Sequence, residues 1–295
     1  MVRSKKFSDR LNDGMIIAIL TIVTFLCVAP ILHTIALSFS DKSIAAAGMV
    51  SLYPVGFNLY SYKLLLEDKN FFVAFGVSVQ RVILGCAINY VLTVLMAYPL
   101  SKSNRVFPGR NAYMWFVVFT MLFSGGLIPW YMTISALGLI NSIWALVLPT
   151  AVPVFNVILL MNFFRGIPKE LEEAGIVDGA GPWYMLVRIF IPVSLPALAT
   201  ITLFTIVGHW NSFFDGLILM NKPEKYPLQT YIQQLVVVLR DTSTMDPEQI
   251  KRLSRISNKT LNAAKILISM IPVMAIYPFL QRYFIHGIVL GSVKE

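Results

Sequence analysis

Residues 169–183 read KELEEAGIVDGAGPW and residues 191–196 read IPVSLP, and both segments lie between two long apolar stretches. Pro168 suits the start of a helix, because proline lacks the N–H donor that the first turn leaves unpaired. The acidic residues that follow it favour the positive end of the helix dipole. The pattern therefore predicts a helix from about Pro168 to Val177.

A turn is predicted directly after this helix. Asp178-Gly179 is a turn signal, and Pro182 predicts the start of a second short helix. A glycine at the bend permits positive φ and lets another backbone approach closely. The segment is thus predicted to form a helix–turn–helix elbow suited to docking, with an ordinary interfacial amphipathic hairpin as the alternative.

The composition is that of a polytopic membrane protein. The 295 residues are 57% apolar and 13% charged, with a mean hydropathy of +0.70, whereas soluble domains have roughly 25% charged residues. A membrane-spanning helix needs roughly 20 apolar residues. An all-α domain covering residues 1–295 is predicted, with the elbow in a loop at 165–192, an external loop at 221–260, and six transmembrane helices at about 15–39, 71–100, 112–134, 143–164, 193–220 and 261–284.

The charges predict the orientation of these spans. An even number of spans places both termini on one side of the membrane, and the basic residues before the first span favour the cytoplasmic side: Arg3, Lys5, Lys6 and Arg10. The elbow then faces the cytoplasm as well. The first apolar run is much longer than the roughly 7–15 residues of a signal peptide, so an uncleaved span is expected.

Several function classes are disfavoured by the sequence. The net charge of +9 is spread over short loops without a basic stripe, so no nucleic-acid partner is expected. Cys27 and Cys86 lie within apolar spans and suit packing. No G-x-x-x-x-G-K-[ST] phosphate loop and no His or Cys cluster occurs, so we expect no metal, cofactor, catalytic or ATPase site on this chain.

The elbow resembles the EAA loop of importer-type ABC permeases, in which Glu-Ala, Asp-Gly-Ala and a proline pair recur at this spacing. Residues 210–213 (WNSF) and 281–284 (QRYF), with Gly287, Gly291 and Lys294, are similar to motifs of carbohydrate-importer permeases, the group that contains the smaller maltose permease subunit. The resemblance covers nearly the whole chain. One departure is Gly175, where the family usually has alanine, and it is expected to loosen a helix by about 1 kcal/mol.

The resemblance implies a coupling role for Glu173, Ala174, Asp178, Gly179 and Ala180. It implies a second homologous permease, two ATPase subunits that carry ATP and Mg²⁺, an extracytoplasmic solute-binding protein, and alternating access in a bacterial or archaeal cytoplasmic membrane with lipid around the chain. Residues 123–129 (FSGGLIP) and the long external loop look more like the branch that handles oligosaccharides or polysaccharides, which includes alginate importers.

An ionisable residue within a predicted span marks a candidate substrate pathway. Arg81 is such a residue, because a charge in a span tends to face a protein interior or a water-filled cavity. The alternatives are snorkelling towards the interface or an ion pair with Asp215. Hydrogen bonds to a sugar are expected from Gln80, Asn89, His209, Asn211 and Asp215, and ring stacking from Trp210, Phe213 and Phe214, for which belt or interhelical packing is the alternative.

Two further predictions concern the external segments and a rival function. A short amphipathic run at 60–66 is expected to belong to a small cap at the membrane surface, and a short surface helix is predicted at about 246–253. The rival function is an ion-coupled secondary transporter of a small polar solute, which should show paired broken helices and several intramembrane acids. Asp215 is nearly alone as an acid within the predicted spans.

Overall fold

The computed structural model describes the backbone of residues 7–238 and 259–292, and the side chains of residues 11–234 and 259–278. Within these ranges every regular element is a helix. The chain forms two compact units, residues 1–69 with 234–270 and residues 70–233 with 271–295. The helix predicted at 246–253, like Lys294 of the carboxyl-terminal motif, lies outside the described residues.

The first unit contains a long helix whose sides are almost entirely apolar. Its helices are α1 (Phe7–Ser38), α2 (Lys42–Ala46), α3 (Tyr60–Glu67) and the beginning of α14 (Lys259–Ser292). Every residue from 11 to 28 is exposed. A helix that is apolar all round and exposed is suited to hydrocarbon rather than to water.

Polar contacts hold the segment between α1 and α4 in place. Asp41 caps α2 by accepting a hydrogen bond from the Ser43 N–H at 2.8 Å, and hydrogen bonds from Ser43 hold the pKa of the Asp41 carboxyl below its usual value. The amphipathic run at 60–66 lies within helix α3. At its end, Asp68 accepts a hydrogen bond at 2.6 Å from the fully buried Lys265 of α14.

The second unit contains most of the remaining helices. They are α4 (Lys69–Ser101), α5 (Arg110–Leu122), α6 (Leu127–Ala136), α7 (Ile143–Val147), α8 (Val154–Arg165), α9 (Lys169–Val177), α10 (Pro182–Val193), α11 (Leu195–Asn211), α12 (Phe214–Leu219) and α13 (Leu228–Val238). Its larger core packs the end of α4 against α8, α10 and α11, with Ala97, Val157 and Leu160 fully buried.

Three of the described helices are long and apolar enough to cross a membrane, namely Leu11–Ser38, Lys69–Ser101 and Lys259–Pro278. Three bent helix pairs meet the same criterion jointly, which gives up to six crossings if each pair is one crossing. The predicted third and fourth spans therefore differ from straight helices. The predicted third span is bent by 110° between α5 and α6, and the predicted fourth span is bent by 45° before α8.

Glycine and proline explain these bends. Gly126 has φ +91°, which favours glycine, and Phe123 is extended, so the helix stops at Leu122 and restarts at Leu127. Pro153 precedes α8 in an extended conformation. The predicted fifth span is interrupted too, because α11 ends at Asn211 and α12 begins at Phe214.

Candidate functional site

The elbow is present at the predicted position. Helix α9 ends at Val177 and Gly179 follows with φ +77°. The Gly179 N–H donates to the Ile176 carbonyl at 3.0 Å, and the Ala180 N–H donates to the Gly175 carbonyl at 2.9 Å. These two bonds form a Schellman motif, which satisfies carbonyls that a helix end leaves unpaired. The prediction that Gly179 forms the bend is confirmed.

Gly175 serves the packing of the two elbow helices. It lies inside α9 and is buried. A Cβ at this position would overlap the Met185 sulfur of α10 and lie 3.2 Å from Cδ1 of Ile189. Glycine in place of alanine therefore lets the two helices of the elbow pack closely. This packing offsets the loss of helix stability that the sequence predicted for Gly175.

The outer face of the elbow is apolar and exposed in this chain. Val177 is 86% exposed and Trp183 69% exposed. A Cβ at Gly179 would meet nothing within 4 Å. Of the predicted coupling residues, Glu173, Ala174, Asp178 and Gly179 are exposed and Ala180 is half-buried. The tip thus combines open backbone with exposed apolar side chains, as a docking element requires.

The inner face of the elbow is held by a contact that the sequence did not indicate. Nζ of Lys102, just after α4, donates to Oε1 of Glu172 at 2.8 Å. The same Nζ lies 4.1 Å from the ring centroid of Phe190 and 4.4 Å from that of Tyr98. Lys102 and Glu172 are 70 positions apart, and no local pattern connects them.

The predicted pathway residue Arg81 lines a cleft of about 450 Å³, and several other polar side chains line it too. Parts of α4, α8 and α11 and the segment before α8 form its walls. The lining includes three residues that the sequence had singled out and three that it had not: Arg81, Asn89, His209, Asn156, Thr205 and Ser212. Long-range packing brings these polar groups together.

Arg81 is committed to an ion pair with Asp215. The side chain is 1% exposed, and its guanidinium forms a bidentate pair with the carboxylate, NH1 donating to Oδ1 at 3.1 Å. Ser212 Oγ and the Gly216 N–H also donate to Oδ1, at 2.8 and 2.9 Å. Nε of Arg81 is buried without a partner in the structure. Of the alternatives raised by the sequence, the ion pair is the one observed.

His209 and Asn89 meet in the same cleft. The Asn89 amide lies 3.4 Å from Nε2 of His209. With its nitrogen turned the other way, the amide donates to the Gly85 carbonyl at 3.0 Å. The imidazole rests against Gly85, where any Cβ would overlap the ring. Gly85 therefore makes room for His209.

A second, larger cleft of about 1000 Å³ opens at the bend between α5 and α6. Ser212 lines both clefts, and Asp215 faces the larger one, so the Arg81–Asp215 pair forms part of the wall between them. Aromatic and hydroxyl side chains line the larger cleft, including Trp130, Phe214, Phe123, Thr120, Ser124 and Thr133. Only Phe214 and Asp215 had been predicted.

Four predicted pathway residues lie outside these two clefts. Gln80 is exposed and lines a separate cleft with Asn141. Trp210 is 4% exposed and packs edge-to-face on Phe75, with ring centroids 5.5 Å apart. For Trp210 the structure shows interhelical packing, which was the alternative raised for the aromatic residues. Asn211 and Phe213 are exposed but line neither cleft.

The architecture is that of a helical membrane protein with an exposed helix–turn–helix elbow. The model of the family "Binding-protein-dependent transport system inner membrane component" matches residues 90–241. The chain is 38% identical over 286 residues to the "Polygalacturonan/rhamnogalacturonan transport system permease protein YtcP" of Bacillus subtilis, covering 97% of this chain and 99% of the relative. It is also 38% identical to the protein LplC of the same organism, covering 97% and 96%.

A solved structure is also similar to this chain in sequence and in fold. It is described as a bacterial ABC transporter involved in the import of the acidic polysaccharide alginate, with 32% identity, a TM-score of 0.86, and coverage of 96% of this chain and 100% of the other. This chain belongs to the family of inner-membrane components of binding-protein-dependent transport systems. It is a multi-pass permease subunit of an ABC importer and not itself an enzyme, which confirms the recognition by sequence and disfavours the secondary transporter.

Proposed function

We propose that this chain is one permease subunit of an ATP-driven importer that moves an oligosaccharide or polysaccharide, including an acidic polymer such as alginate, across the inner membrane. The names of two similar proteins support the substrate class, since one is a polygalacturonan/rhamnogalacturonan permease and the other imports alginate. The observation that carries the proposal is that one compact unit contains both the exposed elbow and two clefts lined by polar and aromatic side chains.

The elbow is the element that receives mechanical work. Its open glycine and exposed apolar residues suit insertion into a groove of a cytoplasmic ATPase subunit, which would hold ATP and Mg²⁺. Glu173, Ala174, Asp178, Gly179 and Ala180 belong to this contact. Both termini and the elbow then face the cytoplasm. The complete transporter has a second homologous permease, two ATPase subunits and an extracytoplasmic solute-binding protein.

The two clefts form this chain's part of the solute pathway. The guanidinium of Arg81 and the carboxylate of Asp215 neutralise each other, so the wall offers hydrogen-bonding groups more than net charge. Asn89, Asn156 and Thr205 add amides and a hydroxyl. Polar groups beside aromatic rings suit a hydroxyl-rich solute, because sugars present both polar edges and apolar ring faces.

Reconstitution tests this proposal. The chain is purified with its second permease and ATPase subunits, placed in proteoliposomes, and supplied with the binding protein and a panel of neutral and acidic oligosaccharides. Uptake is expected only with ATP at the cytoplasmic face, and vesicles without the ATPase subunits serve as the control. Uptake driven by an ion gradient without ATPase subunits would contradict the proposal.

Orientation is tested separately. In a Cys27→Ser/Cys86→Ser background, Val177→Cys supplies a thiol at an 86% exposed position of the elbow. A membrane-impermeant maleimide is expected to label it only from the cytoplasmic side. Labelling of intact cells from outside would refute the cytoplasmic elbow.

A further inference from the structure

Lys102 contacts three helices of the second unit at once. It follows the last residue of α4, and its ammonium donates to Glu172 of α9 at 2.8 Å. The ammonium also lies over the rings of Phe190 in α10 and Tyr98 in α4. One side chain thus joins both helices of the elbow to α4.

The surroundings of this contact strengthen it. The Lys102 side chain is 10% exposed and the Glu172 side chain 32% exposed. Tyr98, Phe164 and Phe190 form an aromatic group, with centroids of Tyr98 and Phe190 5.1 Å apart and those of Phe164 and Phe190 5.5 Å apart. Partial exclusion of water makes an ion pair stronger than one on an open surface, and the ring faces attract the cation further.

Helix α4 connects this contact with the smaller cleft. It runs without a break from Arg81 to Ser101, a distance of about 30 Å at the rise of an α-helix. Arg81 and Asn89 of α4 line one wall of the cleft, and His209 belongs to the wall that α11 forms. Helix α11 is linked to the elbow by the chain itself, through an 82° bend after α10.

The two walls are therefore attached to the elbow in different ways. A displacement of the elbow moves α11 through a covalent connection. Helix α4 follows through side-chain contacts, among which Lys102 touches both elbow helices. Arg110 Nε and Arg165 NH2 bind the Leu100 carbonyl at 2.7 and 3.4 Å, and these bonds tie the end of α4 to α5 and α8.

We infer that Lys102, through its ion pair with Glu172, is a positioning residue that makes α4 move with the elbow, so that both walls of the cleft respond to the ATPase. The inference rests on the proposed function. It assigns to this pair the coupling of nucleotide hydrolysis to solute movement, beyond the docking contact itself. Loss of the pair leaves an elbow that still docks but moves α4 less effectively.

The test compares variants of the reconstituted complex. Lys102→Met removes the charge and keeps the aliphatic stem, and Glu172→Gln removes the other charge. Each is expected to lower the ratio of ATPase activity stimulated by binding protein and substrate to basal ATPase activity by about tenfold, as expected for loss of one charge-assisted contact. Basal ATPase activity and co-purification of the subunits are expected to remain.

Two controls keep the result specific. Lys102→Arg retains a cation for both Glu172 and the rings, so its ratio is expected to stay near that of the wild type. Lys169, the first residue of α9, is exposed and lines one cleft together with Lys102 and Glu172, and Lys169→Met is expected to leave the ratio unchanged. An unchanged ratio in Lys102→Met or in Glu172→Gln overturns the inference.

A ratio that falls equally in Lys102→Arg or Lys169→Met, or one that falls only with loss of subunit assembly, overturns it as well. Failure of the proposed function has a separate signature. In that case the wild-type complex itself shows no ATPase stimulation and no ATP-dependent uptake.

Discussion

The elbow exposes apolar side chains to its surroundings, whereas the wall between the two clefts buries charged ones. The elbow exposes apolar side chains such as Val177 and Trp183, while bonds within a few residues satisfy its backbone. The wall buries the charges of Arg81 and Asp215, which lie 134 positions apart, and satisfies them with each other. The elbow surface is free for a partner, whereas the wall is committed to the chain. Substitutions should therefore separate coupling from stability.

The largest cost to stability is expected at the wall. Asp215→Ala leaves the Arg81 charge buried and unpaired, which should destabilise the chain by about 3–5 kcal/mol. Thermal unfolding of the chain in detergent measures the loss. The double variant Arg81→Met/Asp215→Leu removes both charges and should lose much less. Equal losses in both variants would show that the pair is not what stabilises the wall.

A smaller cost is expected where the wall of the smaller cleft is tightly packed. Gly85→Ala forces a methyl group into the space of the His209 ring and should cost about 1–3 kcal/mol. Gly76→Ala on the same helix is the matched control, because a Cβ there meets nothing within 4 Å. The same thermal measurement is used. If Gly85→Ala unfolds no earlier than Gly76→Ala, the close packing of His209 is disproved.

A substitution at the bend of the elbow should affect coupling to the ATPase subunits more than the stability of the chain. Gly179→Asp places a non-glycine residue at φ +77°, at a stability cost of about 1 kcal/mol. A side chain there meets no atom of this chain, so a larger effect must come from a docked partner. We expect substrate-stimulated ATPase activity of the complex to be abolished while membrane insertion persists. Gly179→Asn, which has nearly the same shape without the charge, serves as the control, and normal stimulation in Gly179→Asp would remove the elbow from the mechanism.

The smallest effect on stability is expected at the most exposed part of the elbow. Val177→Ser should change the free energy of unfolding by less than about 0.5 kcal/mol, because the side chain is 86% exposed. Co-purification of the ATPase subunits should nevertheless weaken, as a docking contact loses apolar area. Undiminished co-purification would mean that Val177 lies outside the contact.

The elbow was predictable because its signals are local. Helix α9, the turn at Gly179 and the start of α10 at Pro182 all depend on residue types within one short segment. The interruptions at 123–126 and 212–213 were not predicted, because both lie inside long stretches without charged residues, although Ser124-Gly125-Gly126 is a turn signal. Hydropathy reports suitability for lipid but not whether a helix is continuous.

The clefts were only partly predictable. Arg81, Asn89 and His209 were chosen as polar residues in apolar spans, and they do share one cleft. The ion pair of Arg81 with Asp215 was one of several alternatives that a single sequence left open. Asn156, Thr205 and the Lys102–Glu172 pair were missed because their meaning depends on partners far along the chain.

The bend between α5 and α6 has a consequence for where lipid is excluded. Residues 123–126 leave the helix, so their peptide groups lack the regular bonding that a hydrocarbon environment demands. Acyl chains offer no donors or acceptors in exchange. This side of the permease must therefore be covered by water or by protein rather than by acyl chains.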